Sequence, residues 1–192
     1  MDRRMQSISI LLLLGMMLAG ILVGTHVALA LEVGEEAPDF TLPSTLGEEI
    51  SLRPFRGKQL VLIEFYGGDV PVCRANLMAR KTDYRQFQAL NIQVLGISVN
   101  NPFAQKLQAD SLQLPYPLLS DMDLKVAKAY GAVYGSTGAK VESPNFVGQG
   151  AGRVFFLVDK GGVVRGKWIG EDSAVFPSEV LLQSAQQVAE KP

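Results

Sequence analysis

The sequence predicts an α/β sandwich: a central mixed sheet flanked by helices, with a small β-hairpin ahead of it. Three observations carry that prediction. Two continuous apolar runs, QLVLIEF (59–65) and NIQVLGISV (91–99), read as strands buried on both faces. Each is followed by a stretch that starts and patterns as a helix, which is the alternation of layered α/β folds. Finally, RVFFLVD and VVRGKWIG flank Lys160-Gly161-Gly162 as the two arms of a hairpin.

Taken in order, VGEEAPDFTLPSTLGEEISLRPFRGK (33–58) is punctuated by Pro and Gly, with Phe40, Leu42 and Ile50, Leu52 in alternation. This predicts the leading hairpin. After the first buried strand, Pro71 stands where the opening turn of a helix tolerates it, and CRANLMARKTDYRQFQAL continues that helix with Leu77, Tyr84 and Phe87 on one face. NNPFAQKLQADSL carries an Asn cap and an early Pro, hence a second helix. YPLLSD is a short extended piece. DMDLKVAKAYG predicts a helix capped by Asp and closed by Gly131. PSEVLLQSAQQVAEK is a C-terminal helix started by Pro177 and Ser178. The stretch 132–152 has no periodicity, which is unusual inside a compact domain and often marks a functional loop.

Composition narrows the function. With 192 residues, 47% of them hydrophobic, and a net charge of −1, the chain supports one well-cored domain and shows no basic stripe for nucleic acid. The first thirty residues differ in kind: a short basic start, a long apolar run, and Ala28-Leu29-Ala30 at its end. This pattern predicts a secretory signal peptide at 1–30 and a folded domain at 31–192. The alternative is an uncleaved N-terminal anchor over residues 8–30, and either version places the domain outside the cytoplasm, as in a periplasm. No membrane contact is expected unless that leader is retained. Removing Asp2, Arg3 and Arg4 takes the 18 basic and 19 acidic residues to 16 and 18, a mature charge of −2.

Cys73 is the only cysteine. An exported chain with one cysteine has no internal disulfide, so the residue is either a reactive thiol or an inert buried hydrophobe. His26, the sole histidine, lies in the leader, which removes any Cys-His dyad from the mature chain. There is no His/Cys cluster for a transition metal, and no cofactor is called for. Asp121 and Asp123 fit helix capping better than calcium.

The words GEEAPDFTLPSTLGEEISLRPFRGK, VCRANL, VLGISVNNPFAQKL, LPYPLLSDMDLKVAKAYG and GRVFFLVDKGGVVRGKWIGED stand in an order that resembles the peroxiredoxins of the alkyl hydroperoxide reductase and thiol-specific antioxidant family. The resemblance runs from about Gly34 to Asp172. It implies a thioredoxin-like fold and a thiol-dependent peroxidase acting on hydrogen peroxide or organic hydroperoxides. Cys73 would be the peroxidatic nucleophile. Arg153, three residues before Phe156, would be its electrostatic partner. A thiol reacts as thiolate, and a helix start and a fixed guanidinium both favour that anion. With no resolving cysteine, the resemblance implies one-cysteine chemistry and an external thiol reductant. Peroxiredoxins often pair into homodimers through sheet edges or helix faces, although no surface pattern here singles one out. A thioredoxin-type exchange centre would need a second cysteine at Val70 and a cis-proline at Arg153.

The active-site window departs from the family's Pro-x-x-x-Thr-x-x-Cys. YGGDVPVC puts Tyr66 in the proline's place and Val70 in the threonine's, beside Pro71. These three residues are the expected substrate-facing wall. Valine keeps the shape of threonine and lacks its hydroxyl, so one donor to the transition state is missing. A binding or redox-sensing module with a weakened site, or a thiol-disulfide exchange partner, is therefore the alternative reading. Asp69 would oppose a thiolate, though only weakly where solvated. Arg74 offers positive potential or is a solvated surface residue, and Trp168 fits packing. Glu64, on an apolar strand, requires a partner if buried; Arg153 and Lys58 are the candidates.

Overall fold

A computed structural model of the chain describes residues 31–68, 70–133, 153–171 and 174–190. Residues 1–30, where a leader is expected, Asp69 and all but the first two residues of the 132–152 stretch lie outside the described residues.

Thr41–Pro43 (β1) and Glu49–Ser51 (β2) pair antiparallel as the leading hairpin. The main sheet contains Leu60–Phe65 (β3), Ile92–Ser98 (β4), Leu118–Ser120 (β5), Val154–Val158 (β6) and Val164–Ile169 (β7), in the order β5-β4-β3-β6-β7. The β3–β4 and β4–β5 pairs are parallel, while β3–β6 and β6–β7 are antiparallel. The sheet is thus mixed, with QLVLIEF at its centre, and every residue of β3 is buried. The extended piece YPLLSD contributes the edge strand β5.

The long helix expected after Pro71 is two helices, Pro71–Thr82 (α1) and Tyr84–Ala89 (α2), parted at Asp83. The Asp83 carbonyl accepts from the amides of Gln86 and Phe87, and its carboxylate accepts from the Gln86 side-chain amide at 3.2 Å. An aspartate that bonds the turn after it behaves as a helix start, which explains the break. Pro102–Leu112 (α3) begins as its sequence predicts: Asn101 Oδ1 accepts from the Ala104 amide at 2.9 Å.

Lys125–Ala129 (α4) is shorter than its pattern suggests, because Leu124 before it takes a left-handed conformation (φ 58°). Asp121 accepts from the amides of Val126 and Ala127, and Asp123 from that of Lys125. Both carboxylates thus hold the start of this helix. Ser178–Ala189 (α5) closes the fold.

Strand alternation divides the core. Val61, Ile63 and Phe65 of β3 face the hairpin and α4, meeting Phe40, Leu42, Tyr130 and Phe156. Leu60, Leu62 and Tyr66 face the opposite layer, meeting Cys73, Leu77, Phe87, Phe155 and Leu181. At ~1.5–3 kcal/mol for each large apolar side chain fully buried, these two layers dominate the stability of the fold.

The N-terminal segment ties both sheet edges. Gly34 donates to the Val164 carbonyl, Val164 to Glu35 and Ala37 to Gly162 at the β7 side. At the other edge, Thr45 N donates to the Leu118 carbonyl, and Leu118 N returns a bond to Thr45 Oγ1.

Candidate active site

The chain leaves β3 through Gly67-Gly68 and turns into α1. Gly68 has φ 82°, a conformation that a side chain would strain. Val70 then occupies the N-cap of α1 in an extended conformation, without a side-chain cap bond, and Pro71 is the first helical residue. Cys73 is therefore the third residue of the helix, among the amides that an α-helix leaves without internal partners.

Cys73 is 0% exposed. The Gly67 backbone and the Arg153 guanidinium both act on its sulfur in favour of the thiolate. Arg153 immediately precedes β6 and is itself buried. Strand alternation puts it on the same layer as Phe155, the layer that holds Cys73. Burial pushes the thiol up, and the Glu64 charge adds to that; Gly67 and Arg153 pull it down. The structure thus joins Cys73 to Arg153. It also walls the sulfur off from solvent, so the two features that distinguish a working thiol from a retained one are divided here.

The other sequence candidates fall as follows. Val70 is half-buried and packs on the Cys73 layer, and Pro71 is exposed. Tyr66 is fully buried: its hydroxyl donates to Gln105 Oε1, and Gln105 in turn donates to Ser98 Oγ at 3.0 Å and the Leu119 carbonyl at 2.7 Å. Burial pushes the Tyr66 phenol well up. The hydroxyl is thus engaged within the core. Arg74 is exposed and lines a shallow cleft with Asn100 and Leu107. Trp168 packs near Phe176, with ring centres 6.4 Å apart.

Glu64 differs from expectation. It is 1% exposed, and the cation acting on it is Arg80 of α1, in place of Arg153 or Lys58. Its β3 register sets it between Gly96 and Phe155, and Arg80 lies over the Phe155 ring, 5.6 Å from the centroid. Desolvation pushes the Glu64 carboxyl up to about 7, against the pull of Arg80. Arg80, 0% exposed, donates to the Phe176 carbonyl, and Asn76 accepts from the Phe176 amide at 2.8 Å. Sequence reading passed over Arg80 and Asn76. The signal was a basic residue seven positions after Cys73, on the apolar face of its helix.

A thiol at the start of a helix packed on the central strands of a thioredoxin-like sheet, with a guanidinium favouring its anion, defines a thiol-redox class of protein. The AhpC/TSA family model matches residues 33–167. The putative peroxiredoxin bcp of Coxiella burnetii is 32% identical over 142 residues, covering 73% of this chain and 89% of its own. Peroxiredoxin 2 of Thermoplasma acidophilum is 29% identical over 139 residues, covering 69% and 64%. This chain spans less than two thirds of that relative and of several others. Among solved structures, the peroxidoxin BcpB of Mycobacterium tuberculosis overlays with a TM-score of 0.69 at 22% identity, covering 82% of this chain and 98% of its own, which speaks for the fold. The chain belongs to the AhpC/TSA family, that of the peroxiredoxins.

Proposed function

We propose that this chain is an exported thiol peroxidase that reduces hydrogen peroxide or organic hydroperoxides through Cys73. The observation that carries the proposal is a buried Arg153 on the layer of the core that holds Cys73, its charge favouring the thiolate at the start of α1. The thiol loses its proton and the thiolate attacks one peroxide oxygen. An S–O bond forms as the O–O bond breaks, and the departing oxygen takes a proton to leave as water or alcohol. Arg153, already at the sulfur, stabilises the charge that builds on the oxygens. Cys73 is left as a sulfenic acid. Since Cys73 is the only cysteine, an external thiol condenses with the sulfenic acid, releasing water. A second thiol then frees Cys73 from the mixed disulfide.

Val70, Tyr66 and Pro71 belong to the wall of this site, with Val70 at the N-cap where the family's threonine supplies a hydroxyl. The leader at 1–30 supports export to a periplasm-like compartment. Edman sequencing of the chain recovered outside the cytoplasm tests this, with Leu31 as the expected first residue. A homodimer, as is common in the family, is tested by light scattering of residues 31–192.

A second reading has its own observation. Cys73 is 0% exposed and its thiol is pushed up, which favours a weakened binding or redox-sensing module. Stopped-flow oxidation of residues 31–192 by peroxide, read by Trp168 fluorescence and dimedone trapping with Cys73→Ser as blank, separates the two. Fast, saturating labelling of Cys73 supports the peroxidase. A rate no better than that of a free thiol overturns it in favour of the module.

A further inference from the structure

The Ala28-Leu29-Ala30 pattern puts processing at the bond that joins Ala30 to Leu31. In the folded domain the residues just past that bond are already committed. Leu31 is 5% exposed and belongs to the core layer that holds Val61, Phe156 and Val164. The Glu32 amide donates to Glu35 Oε2 at 2.7 Å, and the Glu32 carboxylate takes the Lys167 ammonium of β7 at 2.6 Å. Gly34 N donates to the Val164 carbonyl at 2.8 Å, and Val164 N returns a bond to the Glu35 carbonyl at 2.9 Å. Glu36 pairs with Val163 in an antiparallel bridge, and Ala37 N donates to the Gly162 carbonyl at 2.8 Å. Leu31 is thus set in the core and the six residues after it are held along the β7 edge. No spacer stands between Ala30 and this docked segment.

An extended peptide gives its backbone groups and alternate side chains to the protein that binds it. A peptidase needs the residues around the scissile bond in that form, and a terminus tied into a sheet withholds them. We propose that the Ala30–Leu31 bond is a processing site that folding closes: a leader peptidase hydrolyses it only while the segment from Leu31 to Ala37 is undocked. The cut consumes one water and leaves a carboxylate on Ala30 and an amine on Leu31. The inference rests on the export reading above and adds an order of events to it. Cleavage before docking releases the domain with Leu31 as its first residue. Docking before cleavage keeps the leader on, and the apolar run at 8–30 then serves as an anchor. The two fates that the sequence allows for residues 1–30 are the two results of one competition.

The size of the effect follows from Leu31. Proteolysis of a segment that opens and closes quickly tracks the population of its open form. Exposing one fully buried leucine makes that form about 10–100-fold rarer than the closed one, and Glu32 must leave Lys167 as well.

The test uses the full-length chain in detergent micelles with a purified leader peptidase that reads Ala-x-Ala, and mass spectrometry follows the appearance of the new N-terminus. Three chains are compared: the wild type, Leu31→Ala, and the wild type with eight Gly/Ser residues inserted between Ala30 and Leu31. All keep Ala28 and Ala30, and circular dichroism checks that each domain is folded. The inserted chain is expected to be cut about 10–100-fold faster than the wild type, with Leu31→Ala in between. Equal rates for the folded wild type and the inserted chain overturn the closure and leave the export reading standing. If none of the three is cut after Ala30, while the same enzyme cuts an unrelated Ala-x-Ala precursor, the processing site itself is lost and the proposal falls with it.

Discussion

Replacing Glu64 by Gln should make the protein more stable at alkaline pH than at acidic pH relative to the wild type. The perturbation is almost isosteric and removes a carboxyl that is 1% exposed. Folding raises that carboxyl from its ordinary 4.5 to about 7. The folded state then holds the proton more tightly than the unfolded state, so wild-type stability falls as pH rises from about 4.5 to about 7 and stays reduced above. At about 1.36 kcal/mol for each tenfold change in proton affinity, the difference amounts to about 3 kcal/mol. The Glu64→Gln variant has no such dependence. Urea unfolding at several pH values from about 5 to about 8, with both chains in the Cys73→Ser background, isolates the carboxyl from the thiol. The gap between the two chains is expected to widen by about 2–3 kcal/mol towards pH 8. Parallel curves would refute the assignment of a buried, proton-holding Glu64.

Three further outcomes are expected. Val70→Thr places a hydroxyl at the N-cap of α1, which now has no side-chain cap bond; urea unfolding should show a gain of about 1 kcal/mol, and sulfenate formation should accelerate by up to ~10²–10³-fold if the hydroxyl also reaches the peroxide. Tyr66→Phe leaves Gln105 Oε1 without its donor, and the buried oxygen should reduce stability by about 1–3 kcal/mol in the same assay. Gly96→Ala puts a Cβ 2.6 Å from Leu118 Cδ2 and 3.3 Å from Tyr66 Cε1; overpacking at the sheet centre should cost about 1–3 kcal/mol, and a thermal transition unchanged from the wild type would show that the sheet yields more easily than its packing implies.

The fold was legible where one physical cause dominates. β3 announces itself because a strand buried on both faces is apolar at every position, and Glu64 is the single exception in it. Asn101 followed by Pro102 fixes a helix start through one side-chain acceptor and one ring, both visible in two letters. Cys73 and Arg153 were paired in the reading through the family resemblance, 80 residues apart, and the structure joins them. What stayed hidden depends on reach. The break at Asp83 rests on local bonds that compete closely with helix continuation. Tyr66 and Gln105 are 39 residues apart, and nothing in the pattern says that the phenol will turn into the core. Glu64 required a cation, and the sequence offered several; strand and helix faces together select Arg80 only once α1 is laid across β3 and β6.

The strap that runs from Gly34 to Thr45 has a consequence for how the molecule comes to be. Its bonds reach Leu118 at one sheet edge and Gly162 and Val164 at the other, partners more than seventy and more than one hundred residues further along the chain. The segment therefore leaves the ribosome well before its partners and finds its places last, when β5, β6 and β7 are already present. Loop closure over such spans is slow. Until it happens, both outer strands display unpaired amides and carbonyls to any neighbouring chain. The interval between synthesis and the docking of a dozen residues is when this protein is most exposed to aggregation, and substitutions in the strap would be felt in yield before they were felt in activity.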